Sequence, residues 1–262
     1  MKITSLLYLT SVGIFAGSLQ LPLARAADLT WNGGNSSWTD SGAWLLDGSS
    51  ADWINGSSAL FQTGSTLIVG SGISAAGLLY EGAAVTLNGG SLTLAGNASG
   101  SNGGSATLSG TALTLNSANQ EDRWTVRDTS LSGSSTLTKT GNGTVTLSGT
   151  HTANGTWNIN AGTLVFTGTR DITGGGQINI ASGAVLDASG GRLFHAANYA
   201  SNWEQPTITL NGGTLKLNQF GYNSASLGCL QNNFYALKFS SGTTSRVIIS
   251  QGYESGGTGS RG

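Results

Sequence analysis

Few residues in the 262-residue chain have types and spacing that could do chemistry. The best cluster is Asp187, Arg192 and His195, within Leu186-Asp187-Ala188-Ser189-Gly190-Gly191-Arg192-Leu193-Phe194-His195. Cleavage of a glycosidic bond needs two carboxylates a few ångströms apart, or carboxylates that hold Ca²⁺ beside a basic residue. Asp187 has no second acid close in sequence, so the stretch reads first as a turn aspartate with solvated neighbours. Glu121-Asp122-Arg123, Arg127-Asp128 and Arg170-Asp171 set opposite charges side by side and read as solvated surface. His151 and His195 are far apart, with no Cys or Glu at ligand spacing, which gives no zinc site. No Gly-x-Ser-x-Gly links a strand to a helix, and Gly174-Gly175-Gly176 precedes a strand and not a helix N-terminus. The expectation is a chain with no catalytic residue, no cofactor and no metal.

The aromatic residues are the better prospects. Trp31, Trp38, Trp44, Trp53 and Phe61 crowd the first part of the chain. Trp rings stack on sugars, but large aromatics more often fill cores, here as a plug at one end of the fold. Tyr199 and Trp203 lie in Asn198-Tyr199-Ala200-Ser201-Asn202-Trp203, which reads as an exposed loop. Together with Asp187, Arg192 and His195 they are the candidate ligand-binding residues.

The elements that must position these residues are strands. Gly, Ser, Thr and Asn make up nearly half the chain, with 42 Gly, only 2 Pro and 9% charged residues. A hydrophobic share of 38% argues against disorder, and the lack of a Gly-X-Y period excludes a collagen-type helix. Scarce helix formers leave an all-β chain of short strands. Met1-Lys2, an apolar stretch from Ile3 to Leu23 and the small-x-small sequence Ala24-Arg25-Ala26 read as a removable export signal over residues 1–26. Ser5, Thr10, Ser11, Ser18 and Gln20 dilute that stretch below a good spanning helix, and no later segment is apolar for long enough to cross a bilayer. The mature chain then carries a net charge of −3 with no basic stripe, which excludes nucleic acid as an expected partner. Cys229 is the only cysteine, so packing and strand ladders must supply the stability.

From Thr66 onward one phrase recurs: an alternating run, a Gly-rich turn, another run. Examples are Thr66-Leu67-Ile68-Val69, Ser91-Leu92-Thr93-Leu94, Ala112-Leu113-Thr114-Leu115, Thr136-Leu137-Thr138-Lys139, Thr163-Leu164-Val165-Phe166, Ala184-Val185-Leu186-Asp187, Thr214-Leu215-Lys216-Leu217 and Arg246-Val247-Ile248-Ile249. The period-two alternation is that of strands with one buried face, and a spacing of roughly 20–30 residues is that of a solenoid. Leu87-Asn88-Gly89-Gly90-Ser91-Leu92 returns nearly unchanged as Leu210-Asn211-Gly212-Gly213-Thr214-Leu215. Such near-identical phrases favour a coil over a β-sandwich, with Leu92, Leu113, Leu164 and Leu215 piled into one dry interior. The expected organisation is a Trp-rich capping segment over residues 27–65 and β-helix repeats over residues 66–262.

Leu137-Thr138-Lys139-Thr140-Gly141-Asn142-Gly143-Thr144-Val145-Thr146-Leu147-Ser148-Gly149-Thr150 resembles the opening of the autotransporter-associated β-strand repeat, also called the passenger-associated transport repeat. Gly155-Thr156-Trp157-Asn158-Ile159-Asn160-Ala161-Gly162-Thr163-Leu164-Val165 is similar to its second half, and Thr30-Trp31-Asn32-Gly33-Gly34 with Trp38 and Trp44 resembles the Trp-rich segment that often opens such proteins. The resemblance implies a right-handed parallel β-helix with an N-terminal cap. It further implies export to the cell surface or the exterior of a Gram-negative-type bacterium, at the outer membrane where a C-terminal barrel follows. A structural or adhesin-like passenger is the implied function, with the repeat assisting export and host or matrix glycans or proteins as partners. A carbohydrate-binding or polysaccharide-degrading β-helix is the alternative. The chain stops at Arg261-Gly262 without a barrel, which is expected of a piece truncated at its C-terminus.

Overall fold

A computed structural model describes residues 28–34, 36–170, 176–193, 207–220, 229–230 and 236–250. The expected export signal therefore lies outside the described residues, as do His195, Tyr199 and Trp203.

The fold is an all-β parallel solenoid, as the alternation and the repeated phrase predict. Each winding lays down up to three short strands, and each strand pairs with its counterpart one winding away. On the first face the strands Ser91–Leu94, Ala112–Asn116, Thr136–Thr140, Trp157–Ile159, Gln177–Ala181, Thr207–Asn211 and Ala236–Phe239 run parallel in sequence order. The second face is longer. It begins with Asp28–Trp31, Ser57–Phe61, the later half of Ile73–Glu81, Ala98–Ser101 and Arg123–Val126. It continues through Thr144–Leu147, Thr163–Phe166, Val185–Asp187, Thr214–Leu217 and Arg246–Ile249. Ser65–Ile68, Ala84–Asn88, Ser105–Ser109 and Thr129–Ser132 form the third face, which Thr150–His151 and Thr169–Arg170 prolong. Antiparallel pairing among named strands is confined to the N-terminal end, where Trp44–Leu46 pairs with both Asp28–Trp31 and Ser49–Ala51.

Along most of the coil's strands alternate residues point inward, and the aliphatic ones close a continuous core. In one column Leu92 stacks on Leu113, Leu113 on Leu137, Leu137 on Trp157 and Trp157 on Ile178. In another Val145, Leu164, Leu186 and Leu215 follow one another. Leu92, Leu113, Leu164 and Leu215 thus share one interior, but on two faces and not in one pile. Three strands per winding joined by similar Gly-rich turns make the next face look like the next winding in sequence. One phrase is also out of register. Leu186, and not Val185, is the fully buried residue aligned with Leu164, because a slip of one residue exchanges the two faces of a strand.

The Asn-Gly-Gly phrase has a second reason beyond turning the chain. Gly89 has φ +63°, a conformation that favours glycine, and its missing side chain would meet open space. Gly90 also has positive φ, and a Cβ there would collide with the backbone of Gly70 one winding earlier. Gly213, its counterpart in the later copy, would strike Ile180 and Ala181. The second glycine is where successive windings touch backbone to backbone.

Candidate functional site

Asp187 closes the strand Val185–Asp187 on the outer side of the second face, half-buried. Its Oδ1 accepts hydrogen bonds from the Ser189 hydroxyl at 2.6 Å and the Ser189 amide at 3.2 Å, and its Oδ2 lies 3.5 Å from the Lys216 Nζ one winding on. Burial alone pushes this carboxyl up. The hydrogen bonds from Ser189 and the charge of Lys216 outweigh it and hold the group below the usual carboxylate value. Arg192 belongs to the third face, where its backbone bridges Thr169 and its carbonyl accepts from the Arg170 amide at 2.8 Å. The structure therefore gives Asp187 a cross-winding partner in Lys216 and sets Arg192 on another side of the coil.

The N-terminal tryptophans point inward. Trp38 and Trp44 are fully buried, with ring centroids 4.9 Å apart, and Trp31 sits edge-on to Trp44 at 5.1 Å. Trp44 Nε1 donates to the Trp38 carbonyl at 2.7 Å and Trp31 Nε1 to the Ser65 hydroxyl at 3.0 Å. Phe61 and Tyr80 continue the stack into the coil. These rings are core filling. Trp53, half-buried, is held by its Nε1 to Asn55 Oδ1 at 3.0 Å.

The most unusual chemistry lies where sequence reasoning looked for none. Lys139 occupies an inward position of the strand Thr136–Thr140, beside Leu137, with no exposed surface. Its ammonium donates to three backbone carbonyls: Thr140 at 2.8 Å, Gly141 at 2.8 Å and Ala161, one winding away, at 3.1 Å. Burial pulls this lysine down to about 8, against a partial opposing pull from the charge of Asp122. Arg170, expected to be solvated beside Asp171, is instead fully buried. Its guanidinium stacks 4.7 Å from the centre of the Trp157 ring, and Nη2 donates to the Gly155 carbonyl at 2.8 Å. His151 completes the cluster. It packs 5.8 Å from both Trp157 and Phe166, and its Nδ1 accepts from the Leu131 amide at 3.3 Å. Burial first, and the Arg170 charge second, push His151 down to about 4, against a backbone hydrogen bond at Ser148. Strict alternation was the signal for the first of these: Thr-Leu-Thr-Lys-Thr puts Lys139 on the same side as Leu137.

Outside the coil, an open groove of about 390 Å³ follows the second face near its N-terminal end. Its lining includes Asp28, Leu60, Leu79, Asn97 and Ser99. Among the described residues, no three of His, Cys, Asp and Glu converge as a metal site would need.

The model of the passenger-associated-transport-repeat family matches residues 137–166, the segment holding Lys139, His151, Trp157 and Phe166. That is the family expected from the sequence, and its repeats are associated with autotransporter passengers. Searches of the curated proteins and of the solved structures found no match. No helix among the described residues is long and apolar enough to cross a membrane.

Proposed function

We propose that the chain is an exported, non-enzymatic passenger rod at the surface of a Gram-negative-type bacterium, serving as a stalk or adhesin-like spacer. The observation that carries this reading is the coincidence of the family repeat with the solenoid. Residues 137–166 run from a strand of the first face through the next winding to a strand of the second, so the family signature is itself a unit of the coil. The mechanism is geometric. Parallel ladders and a stacked core make a stiff column whose outward Thr, Ser and Asn face water. The engagement of the Asp187 carboxylate by Ser189 and Lys216 supports a structural role for that residue.

Brief protease treatment of intact cells tests the location. Cleavage of the chain without release of cytoplasmic markers is expected, and full protection overturns the reading. Export assistance is tested separately with Val145→Asp, which puts a charge into the core of the repeat. A several-fold fall in surface-exposed protein is expected, and undiminished display removes the export role. Release of unsaturated sugars from a polysaccharide, lost in Asp187→Ala, would replace the stalk with an enzyme.

A further inference from the structure

The outward side of the first face carries one chemistry over six consecutive windings. Unbroken registers put Thr93, Thr114, Thr138, Asn158, Asn179 and Thr209 in one column, each half-buried. Thr136 and Thr207 belong to a second column on one side of it, and Asn116 and Thr140 to a third on the other. Neighbours stand about 4.8 Å apart along a column and roughly 6.6 Å apart across columns, so hydroxyls and amides form a two-dimensional grid. Asn179 Nδ2 donates to Asn158 Oδ1 at 2.9 Å, which aligns these two amides along the column. From Ser91 to Asn211 the outward positions of these strands hold no charge and no aromatic ring. Lys139 and Trp157 point inward, and the run ends at the exposed Lys238 one winding on. The other faces differ. The second displays Arg123, Asp187, Lys216 and Arg246, and the third begins with Ile68, 61% exposed.

A continuous sheet face gives a small molecule no enclosing walls, and strands paired on both sides give a peptide no free edge. A face without charge has nothing to steer a nucleic acid or a charged protein patch. Without rings it lacks the platform on which sugars stack. What a neutral grid of hydroxyls and amides does fit is a neutral solid that repeats by hydrogen bonds in two directions. Ice is such a solid, and its surface oxygens repeat at nearly the spacing of the strands. We propose that the first face adsorbs to ice. Its polar groups are held in place before contact, so water joins the crystal against them at little further ordering cost. Charge on this face would break the match, because an ion keeps its own hydration shell and resists giving it up. The inference stands apart from the proposed stalk function, since it uses only the side chains and spacing of one face.

Slow freezing of a dilute solution of the purified full chain tests it, since growing ice rejects solutes that do not adsorb. The chain should enter the ice at or above its concentration in the liquid. Thr114→Lys with Thr138→Lys should lower this uptake about tenfold or more, because two ammonium groups must then shed water at the crystal. Thr125→Lys with Thr146→Lys, on the second face that already bears charge, should leave uptake unchanged. Both double variants should keep the strand signal in circular dichroism, which separates lost adsorption from lost folding. Rejection of the unaltered chain by the ice overturns the proposal, as does an equal loss of uptake in both double variants. So does retention on crystalline cellulose at room temperature that Thr114→Lys with Thr138→Lys abolishes, since the solid recognised is then a polysaccharide.

Discussion

The N-terminal end of the coil and the windings around residues 136–170 fill the same cross-section in opposite ways. At the N-terminal end Trp31, Trp38, Trp44, Phe61 and Tyr80 pack ring on ring, with the Trp44 N–H donated to the Trp38 carbonyl and the Trp31 N–H to the Ser65 hydroxyl on the third face. In the middle, Lys139, His151 and Arg170 occupy inward positions that elsewhere hold Leu or Val. The comparison teaches that a parallel coil tolerates buried cations where its own turns supply acceptors. Where the chain turns, the carbonyls of Thr140, Gly141 and Ala161 converge on one ammonium.

The largest effect should come from the aromatic end. Trp44→Ala removes the ring at the centre of the cluster and should cost about 3–5 kcal/mol in chemical denaturation, with the N-terminal strands losing hydrogen-exchange protection first. Lys139→Ala in the middle should cost about 2–3 kcal/mol, since it takes the ammonium away from the carbonyls of Gly141 and Ala161 and empties an inward position. If the lysine were only core filling, Lys139→Met would restore the loss, so equal stability of Met and wild type by denaturation would break the comparison.

The same middle windings should make the coil sensitive to acid. A histidine whose folded value is lowered to about 4 from 6.5 contributes stability that is full above about 6.5 and lost as the pH falls toward 4. Protonating His151 should remove about 3 kcal/mol over that window. Arg170 faces the imidazole and stays charged throughout, and its repulsion is part of that loss. His151→Phe should flatten the thermal stability between pH 6.5 and 4, with the N-terminal end unaffected.

Smaller effects separate turn from contact. Gly90→Ala should destabilise by 2 kcal/mol or more, roughly, because its Cβ meets the Gly70 backbone. Gly89→Ala, strained only through its φ, should cost about 1 kcal/mol, a difference that thermal melts can read. Outward changes such as Thr146→Val should stay within about 0.5 kcal/mol.

The solenoid was legible because Leu92, Leu113 and Leu137 alternate with Thr and recur at the length of a winding. The assignment of phrases to faces was not, since a corner and a full winding are bounded by the same Gly-rich turns. The phase of the phrase around Val185 is hidden for a related reason: Ala184, Val185 and Leu186 are all apolar, so the alternation does not tell which of them faces the core. Arg170 looked solvated because adjacency to Asp171 is a one-dimensional cue, whereas the core position is set by where the chain re-enters the coil. Asp187 ends its strand. Its partner was hidden, because Lys216 lies 29 residues away in sequence and one winding away in space.

The ladder hydrogen bonds run along the rod, from each winding to the next. A load applied between the two ends therefore falls on the windings one after another, and each that lets go bares the ladder edge of the next. Each release pays out 20 to 30 residues of chain, about 70–100 Å when drawn straight. A rod drawn out from its two ends would give a series of small yields in place of a single snap, and rewinding during slack would restore the length.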